Sequence, residues 1–481
     1  MALAVGVDVA TAEVRAVAAD ADGRLRASGA APLPAPVCPR PGEVEQDAGA
    51  WWPAVATALH RLTAALGREA SSIEAVSVCA TSGTVVALDG RGQPLGPALL
   101  YADQRARREA ERAQAAGGTR WARLGMRVQP SFGLAKWGWL AAAYQDQVAR
   151  LAHPSDLVVE RLVGARAPTD WSTALKSGYD PLAGQWATEA LAALGIGERL
   201  VPDVAPPATL AGVVAAEAAA ATGLPAGAAV RLGMTDACAS QLASGAGTPG
   251  RFVSVLGTTL VLKGASRELV TDPGGAVYSH RHPGGWWLPG GASSTGGAVL
   301  RARFAGLDLA GLDAAAAEHG PARSVTYPLV GRGERFPFAA PDAEGFELDA
   351  DEGDVVDRYR AALEGVAFVE RLGYERLAAL GAPATGPVAT TGGGAGSAVW
   401  NRVRATVLGV PLIATPAATT ALGACVLAAA GSLHADLAAA AEAMAAPGET
   451  VEPDRGEQEA LDGNYRRLAA ALTERGWLPH A

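Results

Sequence analysis

"TTGGGAGSAVWNRVRATVLGVP" (390–411) contains the turn that decides how the second half of this chain folds. The apolar run before it predicts a strand that ends near Gly392, and the periodic residues after Ser397 predict a helix. Consecutive glycines at such a turn let backbone N–H groups converge on an anion, and the helix N-terminus adds partial positive charge. Taken alone, the glycines are explained equally well by a tight structural turn.

Two other stretches place Gly or Thr directly after an apolar strand. "LAVGVDVATAEVR" (3–15) has Asp8 near the end of its first strand, Thr11 in the turn and Arg15 in the next strand. "RFVSVLGTTLVLKG" (251–264) places Gly257-Thr258-Thr259 between two strand-like runs. Threonine hydroxyls can donate to phosphate oxygens, and a carboxylate at a strand end suits Mg²⁺. Asp8 alone could equally be a turn acid, so the hypothesis depends on the order of the motifs.

The organisation of the chain predicts an α/β protein with two domains. Each half opens with a β-hairpin, within the first 35 residues and near residues 251–264, and strands then alternate with helices. Such alternation favours mostly parallel sheets. The "GAGTPG" stretch (245–250) is a suitable flexible connection, so we predict domains over residues 1–246 and 247–481.

Composition excludes several classes of function. Hydrophobic residues make up 49% of the chain, which indicates a globular protein, and the net charge of −9 argues against nucleic-acid or acidic-membrane binding. The four cysteines are far apart without metal-ligand spacing, as expected of reduced thiols. The first residues lack a basic signal-peptide region, and no apolar run is long enough to cross a bilayer. We therefore expect a cytoplasmic protein.

"RLGMTDACASQLASGAG" (231–247) contains a single acid, Asp236, at the end of an apolar approach. No lysine stands in this stretch to pair with the carboxylate. A carboxylate at the end of a buried strand is costly unless it is hydrogen-bonded, paired or used in chemistry.

In this order, the motifs resemble those of the FGGY carbohydrate kinases over nearly the whole chain. Residues 8–15 and 256–259 resemble the two phosphate motifs of the family, and residues 391–411 are close to its adenosine motif. "LAKWGWL" (134–140) and "GERFPF" (333–338) resemble family signatures, although Ala10 and Gly133 depart from the usual residues.

The resemblance implies two actin/Hsp70-like (ribonuclease H-like) ATPase domains with the active site in the cleft between them. It implies ATP and Mg²⁺ as cofactors, with Asp236 as the general base that accepts the proton of a sugar hydroxyl and Asp8 as the residue that orients Mg²⁺. The residues that it implies for the phosphates and the nucleoside are Thr11, Arg15, Gly257, Thr258, Thr259, Gly392, Gly393, Gly394 and Ser397.

The identity of the sugar substrate is predicted from the stretch "CATSGTVVALD" (79–89). Xylulokinases carry Gln-Met-His where this chain has Thr81-Ser82-Gly83, and the stretch more closely resembles a subgroup of D-ribulose kinases. The resemblance implies that Ser82, Asp8 and Asp103 contact the substrate, although Asp103 also fits an exposed loop acid with no role. We predict phosphorylation of D-ribulose to D-ribulose 5-phosphate, with D-xylulose or another ketose or polyol as the alternative.

A hypothesis from another class is a non-catalytic sensor of sugar or nucleotide on the same fold. A homodimer stays open as the assembly. We expect His280-Arg281-His282 to have surface or hydrogen-bonding roles, since two histidines lack a third metal ligand nearby in sequence. We expect Arg105, Arg107 and Arg108 to form a solvated helix face.

Overall fold

The computed structural model describes residues 1–478, and they form two compact units. The first unit comprises Met1–Ala243, His280–Trp286 and Thr419–Ala445. The second comprises Ser244–Ser279, Trp287–Ala418 and the chain from Ala446 onward. Among the described residues, no helix has the length and apolar character needed to span a membrane.

The first unit contains a six-stranded sheet whose central strands are parallel. Leu3–Val9 pairs in parallel with Ile73–Ala80, which pairs in parallel with Ala229–Thr235. Leu3–Val9 also forms an antiparallel hairpin with Glu13–Ala19, which confirms the hairpin predicted for the N-terminus. The order across the sheet is Leu210–Val213, Ala229–Thr235, Ile73–Ala80, Leu3–Val9, Glu13–Ala19 and Leu25–Pro32.

Helices cover this sheet and extend the first unit beyond it. Trp51–Leu66 buries its apolar face, including Leu59 and Leu62, after an N-cap region opened by Asp47. The other helices of the unit are Arg107–Ala116, Gly118–Leu124, Gly133–Tyr144, Pro154–Val163, Trp171–Ala174, Thr188–Ala193, Ala216–Thr222, Asp236–Ala243, Thr420–Ala429 and Leu437–Ala443. Short strand pairs join Glu45–Gln46 to Ala98–Leu99, Val86–Leu88 to Arg150–Ala152, Thr169–Asp170 to Val204–Ala205, and Tyr179–Asp180 to Gln185–Trp186.

The helix Thr420–Ala429 comes late in sequence but packs against the strand Leu3–Val9. A Cβ at Gly6 would lie 2.0 Å from the carbonyl oxygen of Ala421, so this approach requires glycine. The Cys425 thiol donates to the Ala4 carbonyl at 3.5 Å. Nine residues of this helix are buried, as expected of a helix that is apolar on all sides.

The second unit repeats the opening of the first. Phe252–Leu256 and Leu260–Gly264 form the predicted hairpin, and Phe252–Leu256 pairs in parallel with Val388–Thr391. The sheet order is Tyr278–Arg281, which begins in this unit, then Trp287–Ala292, Leu260–Gly264, Phe252–Leu256, Val388–Thr391, Leu412–Ala414 and Glu449–Val451. The helices are Ala298–Arg303, Leu309–His319, Val355–Ala379, Ala398–Leu408 and Gln458–Glu474, and Val325–Tyr327 pairs with Phe346–Leu348.

The compact units differ from the continuous segments 1–246 and 247–481 expected from the sequence. The first unit gains residues 419–445 because their apolar helix covers the central strands of its sheet. The division at residues 246 and 247 therefore stays a prediction about sequence-continuous domains.

Candidate functional site

Asp8 lies near the end of the central strand of the first unit and is 2% exposed. It stands directly across the hairpin from Arg15, whose guanidinium donates to Asp8 Oδ2 at 2.8 Å. Asp8 Oδ1 has no hydrogen-bond partner among the described residues. Burial raises the pKa of Asp8 to about 6; Arg15 opposes this shift and the Asp236 carboxylate adds to it. Asp8 is thus a buried carboxylate with one oxygen held by the protein.

Asp236 is the first residue of the helix Asp236–Ala243, directly after the strand Ala229–Thr235. Its Oδ1 accepts a hydrogen bond from the backbone N–H of Ala237 at 2.8 Å. Because the Asp236 charge acts on the pKa of Asp8, the structure brings these two predicted site residues together.

Thr11 and Ser82 follow two neighbouring strands of the same sheet. Thr11 lies in the turn after Leu3–Val9, where its carbonyl accepts from the Gln46 side chain at 2.8 Å. Ser82 follows Ile73–Ala80, and its Oγ is buried without a hydrogen-bond partner among the described residues. The next residue, Gly83, has φ of +84°, a conformation that glycine adopts without strain.

Asp103 is fully buried, so the expectation of an exposed loop acid is wrong. Its carboxylate accepts from the backbone of Val44 at 2.7 Å and from the Arg105 guanidinium at 2.8 Å. Arg105 also pairs with Glu45 at 2.7 Å and lies over the ring of Trp139. Its side chain is 7% exposed, which corrects the predicted solvated face for this arginine. These contacts occupy the Asp103 carboxylate, and its role toward a substrate stays a prediction.

The two histidines near residue 281 are buried, so the expected surface role is wrong for both. His282 has the expected hydrogen-bonding role, because its Nδ1 accepts from the Gly284 backbone at 2.9 Å. Its ring stacks on Trp286, and burial lowers its pKa to about 4. Within residues 1–478, no three His, Cys, Asp or Glu side chains gather as a metal-binding group.

The second unit contains a cavity of about 640 Å³ beside its glycine turns. The residues expected around phosphates and nucleoside that line this cavity are Gly257, Thr258, Gly393, Gly394 and Ser397. Thr259 and Gly392 belong to the same two turns but do not line it. Gly392 has φ of +88°, and a Cβ there would lie 2.6 Å from the Leu256 carbonyl oxygen. This turn therefore requires glycine.

Helix Ala398–Leu408 begins as predicted, with Ser397 as its N-cap. Ser397 Oγ accepts from the Trp400 backbone N–H at 3.2 Å and donates to Asp313 Oδ2 at 2.8 Å. The Tyr359 hydroxyl donates to Asp313 Oδ1, also at 2.8 Å. On the other side, the Arg301 guanidinium donates to Thr258 Oγ1 at 2.8 Å. The wall of the cavity thus combines the backbone of the glycine turns with the Asp313 carboxylate, which two hydrogen bonds hold in place, and the positively charged Arg301.

Four further residues that line this cavity were not predicted from the sequence: Arg301, Asp313, Tyr359 and Trp400. Asp313 could have been recognised from the sequence, because it is the single acid in the apolar stretch of residues 309–317. No local pattern distinguishes Arg301 or Tyr359, because they reach the cavity from helices far from the glycine turn in sequence.

Comparison with known proteins identifies the family. The sequence matches the FGGY family of carbohydrate kinases through its N-terminal domain over residues 3–243 and its C-terminal domain over residues 252–432. A xylulose kinase of Streptomyces rubiginosus is 31% identical over 494 residues, which covers 98% of this chain and 96% of the relative.

Solved structures agree with the sequence match. A xyloylose kinase from Brucella ovis superposes with a TM-score of 0.90 at 28% identity, covering 98% of this chain and 99% of that one. The xylulose kinase of Rhodospirillum rubrum gives 0.87 at 29% identity, with 98% of each chain covered. The two units thus have the actin/Hsp70-like ATPase fold of sugar kinases. This chain belongs to the FGGY family of carbohydrate kinases and is an ATP-dependent sugar kinase.

Proposed function

We propose that this kinase transfers the γ-phosphoryl group of ATP to the 5-hydroxyl of a ketopentose, with D-ribulose as the first candidate. Asp236 serves as the general base in this proposal. One observation supports this role: Asp236 lies at a strand-to-helix junction, and its charge raises the pKa of the buried Asp8 carboxyl.

A carboxylate of ordinary basicity suffices for Asp236. Phosphoryl transfer through a loose transition state depends mainly on positioning and charge neutralisation, so the proton leaves the attacking hydroxyl late. Asp236 accepts that proton as the sugar oxygen bonds to phosphorus and the bond to the ADP oxygen breaks. The Ala237 N–H that donates to Asp236 Oδ1 at 2.8 Å helps to fix the orientation of this carboxylate.

The cavity of the second unit fits a nucleotide. Its glycine turns leave backbone groups accessible: a Cβ added at Gly393 would meet nothing within 4 Å. Arg301 supplies a positive charge at Thr258, which suits phosphate oxygens. Gly393, Gly394 and the helix that starts after Ser397 hold the nucleoside in this proposal, and Gly257, Thr258 and Thr259 hold phosphate oxygens.

The residues around Asp8 fit Mg²⁺. Asp8 Oδ1 is a buried carboxylate oxygen without a hydrogen-bond partner in the described part of the chain, and Mg²⁺ is typically bound by one or two carboxylates plus water and substrate phosphates. When bound, Mg²⁺ would neutralise charge on the phosphates. Arg15 restrains the Asp8 carboxylate through Oδ2, and Thr11 adds a hydroxyl in the adjoining turn.

Different observations support D-ribulose and D-xylulose as the substrate. Ser82 supports D-ribulose, because its Oγ is buried without a hydrogen-bond partner within residues 1–478 and because Thr81-Ser82-Gly83 puts a short hydroxyl where xylulokinases carry an imidazole. The relatives named xylulose kinase support D-xylulose, since one of them aligns over 98% of this chain. A cytoplasmic location and a homodimer stay predictions, which cell fractionation and size-exclusion chromatography would test.

The substitution Asp236→Ala tests the mechanism. We expect sugar phosphorylation to fall by at least about 10²-fold, the contribution of a general base, while MgATP binding measured by calorimetry persists. Loss of nucleotide binding together with activity would contradict the proposal and make Asp236 a structural residue. Wild-type protein that binds sugar and nucleotide without forming a sugar phosphate would favour the sensor hypothesis.

A further inference from the structure

The sheet is irregular in the residues just before Asp236. Ala229–Thr235 pairs with Ile73–Ala80 in one register through Leu232; the register then shifts, and Thr235 pairs with Ala80. The backbone N–H of Thr235 donates to the hydroxyl oxygen of Ser172 at 3.0 Å. This bond links the residue next to Asp236 with the short helix Trp171–Ala174, more than sixty positions earlier in the chain.

Asp170 fixes the orientation of the Ser172 hydroxyl. The Ser172 O–H donates to Asp170 Oδ1 at 2.5 Å, and the backbone N–H groups of Ser172 and Thr173 donate to the same oxygen at 2.8 and 3.0 Å. Asp170 is 3% exposed and Ser172 is 1% exposed. Because the hydroxyl proton is committed to Asp170, a lone pair of Ser172 Oγ is left to accept from Thr235.

We propose that Ser172 is a positioning residue for Asp236, acting through the backbone of Thr235. The inference rests on the proposed role of Asp236 as general base. The Asp170–Ser172–Thr235 chain holds the backbone at the register shift, directly before the first residue of the helix Asp236–Ala243.

The effect on catalysis follows from the geometry of proton transfer. A base must lie within hydrogen-bond reach of the hydroxyl it deprotonates, and a misplacement of about 1 Å can cost on the order of 10²-fold in rate. The nucleotide cavity is built from residues of the second unit, whereas Ser172 belongs to the first. Loss of the Ser172 bond should therefore lower kcat without changing the KM for MgATP.

The test compares Ser172→Cys and Ser172→Ala with wild-type protein. Cysteine keeps the shape of serine but is a weak hydrogen-bond partner, so it separates the bond from the packing. We expect kcat to fall roughly 10- to 100-fold in both variants. We expect the KM for MgATP to stay within about twofold of the wild-type value, a difference of less than about 0.5 kcal/mol in binding free energy.

Ser77→Ala is the matched control, because Ser77 is a fully buried serine of the same unit whose Oγ has no partner among the described residues. A Ser172→Cys enzyme with wild-type kcat would overturn the inference. A parallel rise in the KM for MgATP, or a loss of thermal stability without a change in kcat per folded molecule, would also overturn it. Asp236→Ala, assayed beside them, separates the two ideas: if that variant stays active, the proposed base is wrong.

Discussion

Two carboxylates of the first unit, Asp8 and Asp236, are held in different ways. Asp8 is buried in a central strand and has its pKa raised, whereas Asp236 starts a helix and accepts a backbone hydrogen bond. Within residues 1–478 one oxygen of the buried Asp8 carboxylate has no hydrogen-bond partner, which suits a cation that is bound and released. The position of Asp236 suits a proton acceptor.

The raised pKa of Asp8 predicts a dependence of stability on pH. Its pKa of about 6 in the folded protein lies above the usual 3.8, so its contribution to stability is present at low pH and is lost as pH rises through 6. The loss amounts to about 3 kcal/mol. Asp8→Asn should therefore raise the unfolding temperature in Mg²⁺-free buffer more at about pH 7 than at about pH 4.5. Equal shifts at both pH values would contradict this account.

Removing the Ser82 hydroxyl is expected to weaken the binding of the sugar and to leave the binding of MgATP unchanged. Its buried Oγ has no partner among residues 1–478, so a hydrogen bond to the sugar would be its first. Ser82→Ala should raise the KM for the sugar about fivefold, since a neutral hydrogen bond contributes about 1 kcal/mol. The KM for MgATP should not change. Ser155→Ala is the matched control, because Ser155 Oγ is also buried and has no hydrogen-bond partner among the residues described. An unchanged sugar KM would remove Ser82 from the site.

The turn between Val388–Thr391 and Ala398–Leu408 contains a glycine that can be replaced to test nucleotide binding without disturbing the fold. Gly393 lines the cavity and has open space around its Cβ position. Gly393→Val should leave the unfolding temperature unchanged but raise the KM for MgATP roughly tenfold or more, about 1.4 kcal/mol. Gly386→Val controls for a valine at an open glycine outside the cavity. Equal kinetics for both variants would exclude Gly393 from the nucleotide site.

The elements were predictable where the signal is local. Alternating strands around Thr11 and Thr258 predict both hairpins, and the glycines before Ser397 predict the turn and the helix. The burial of Arg105 was not predictable, because it depends on Glu45 from a distant segment. The bond from Thr235 to Ser172 was hidden for the same reason: no sequence period connects the two positions.

The first unit includes a helix from late in the sequence, Thr420–Ala429. A fragment of residues 1–246 would expose the strand face that Thr420–Ala429 covers at Gly6. We expect this fragment to lack a cooperative thermal transition in circular dichroism, because the uncovered apolar surface loses its burial energy. Joining residues 419–445 to it through a flexible linker should restore the transition. A cooperative transition in the fragment alone would contradict this description of the unit.

Sugar-dependent phosphoryl transfer is tested by measuring ADP release from purified enzyme with MgATP. The sugars are D-ribulose, D-xylulose, L-ribulose and glycerol, beside a reaction without sugar. We expect strong stimulation by D-ribulose and weaker stimulation by D-xylulose; the reverse order would correct the substrate and leave the mechanism intact. ADP release that no sugar changes would show that the protein does not act as a kinase on these sugars.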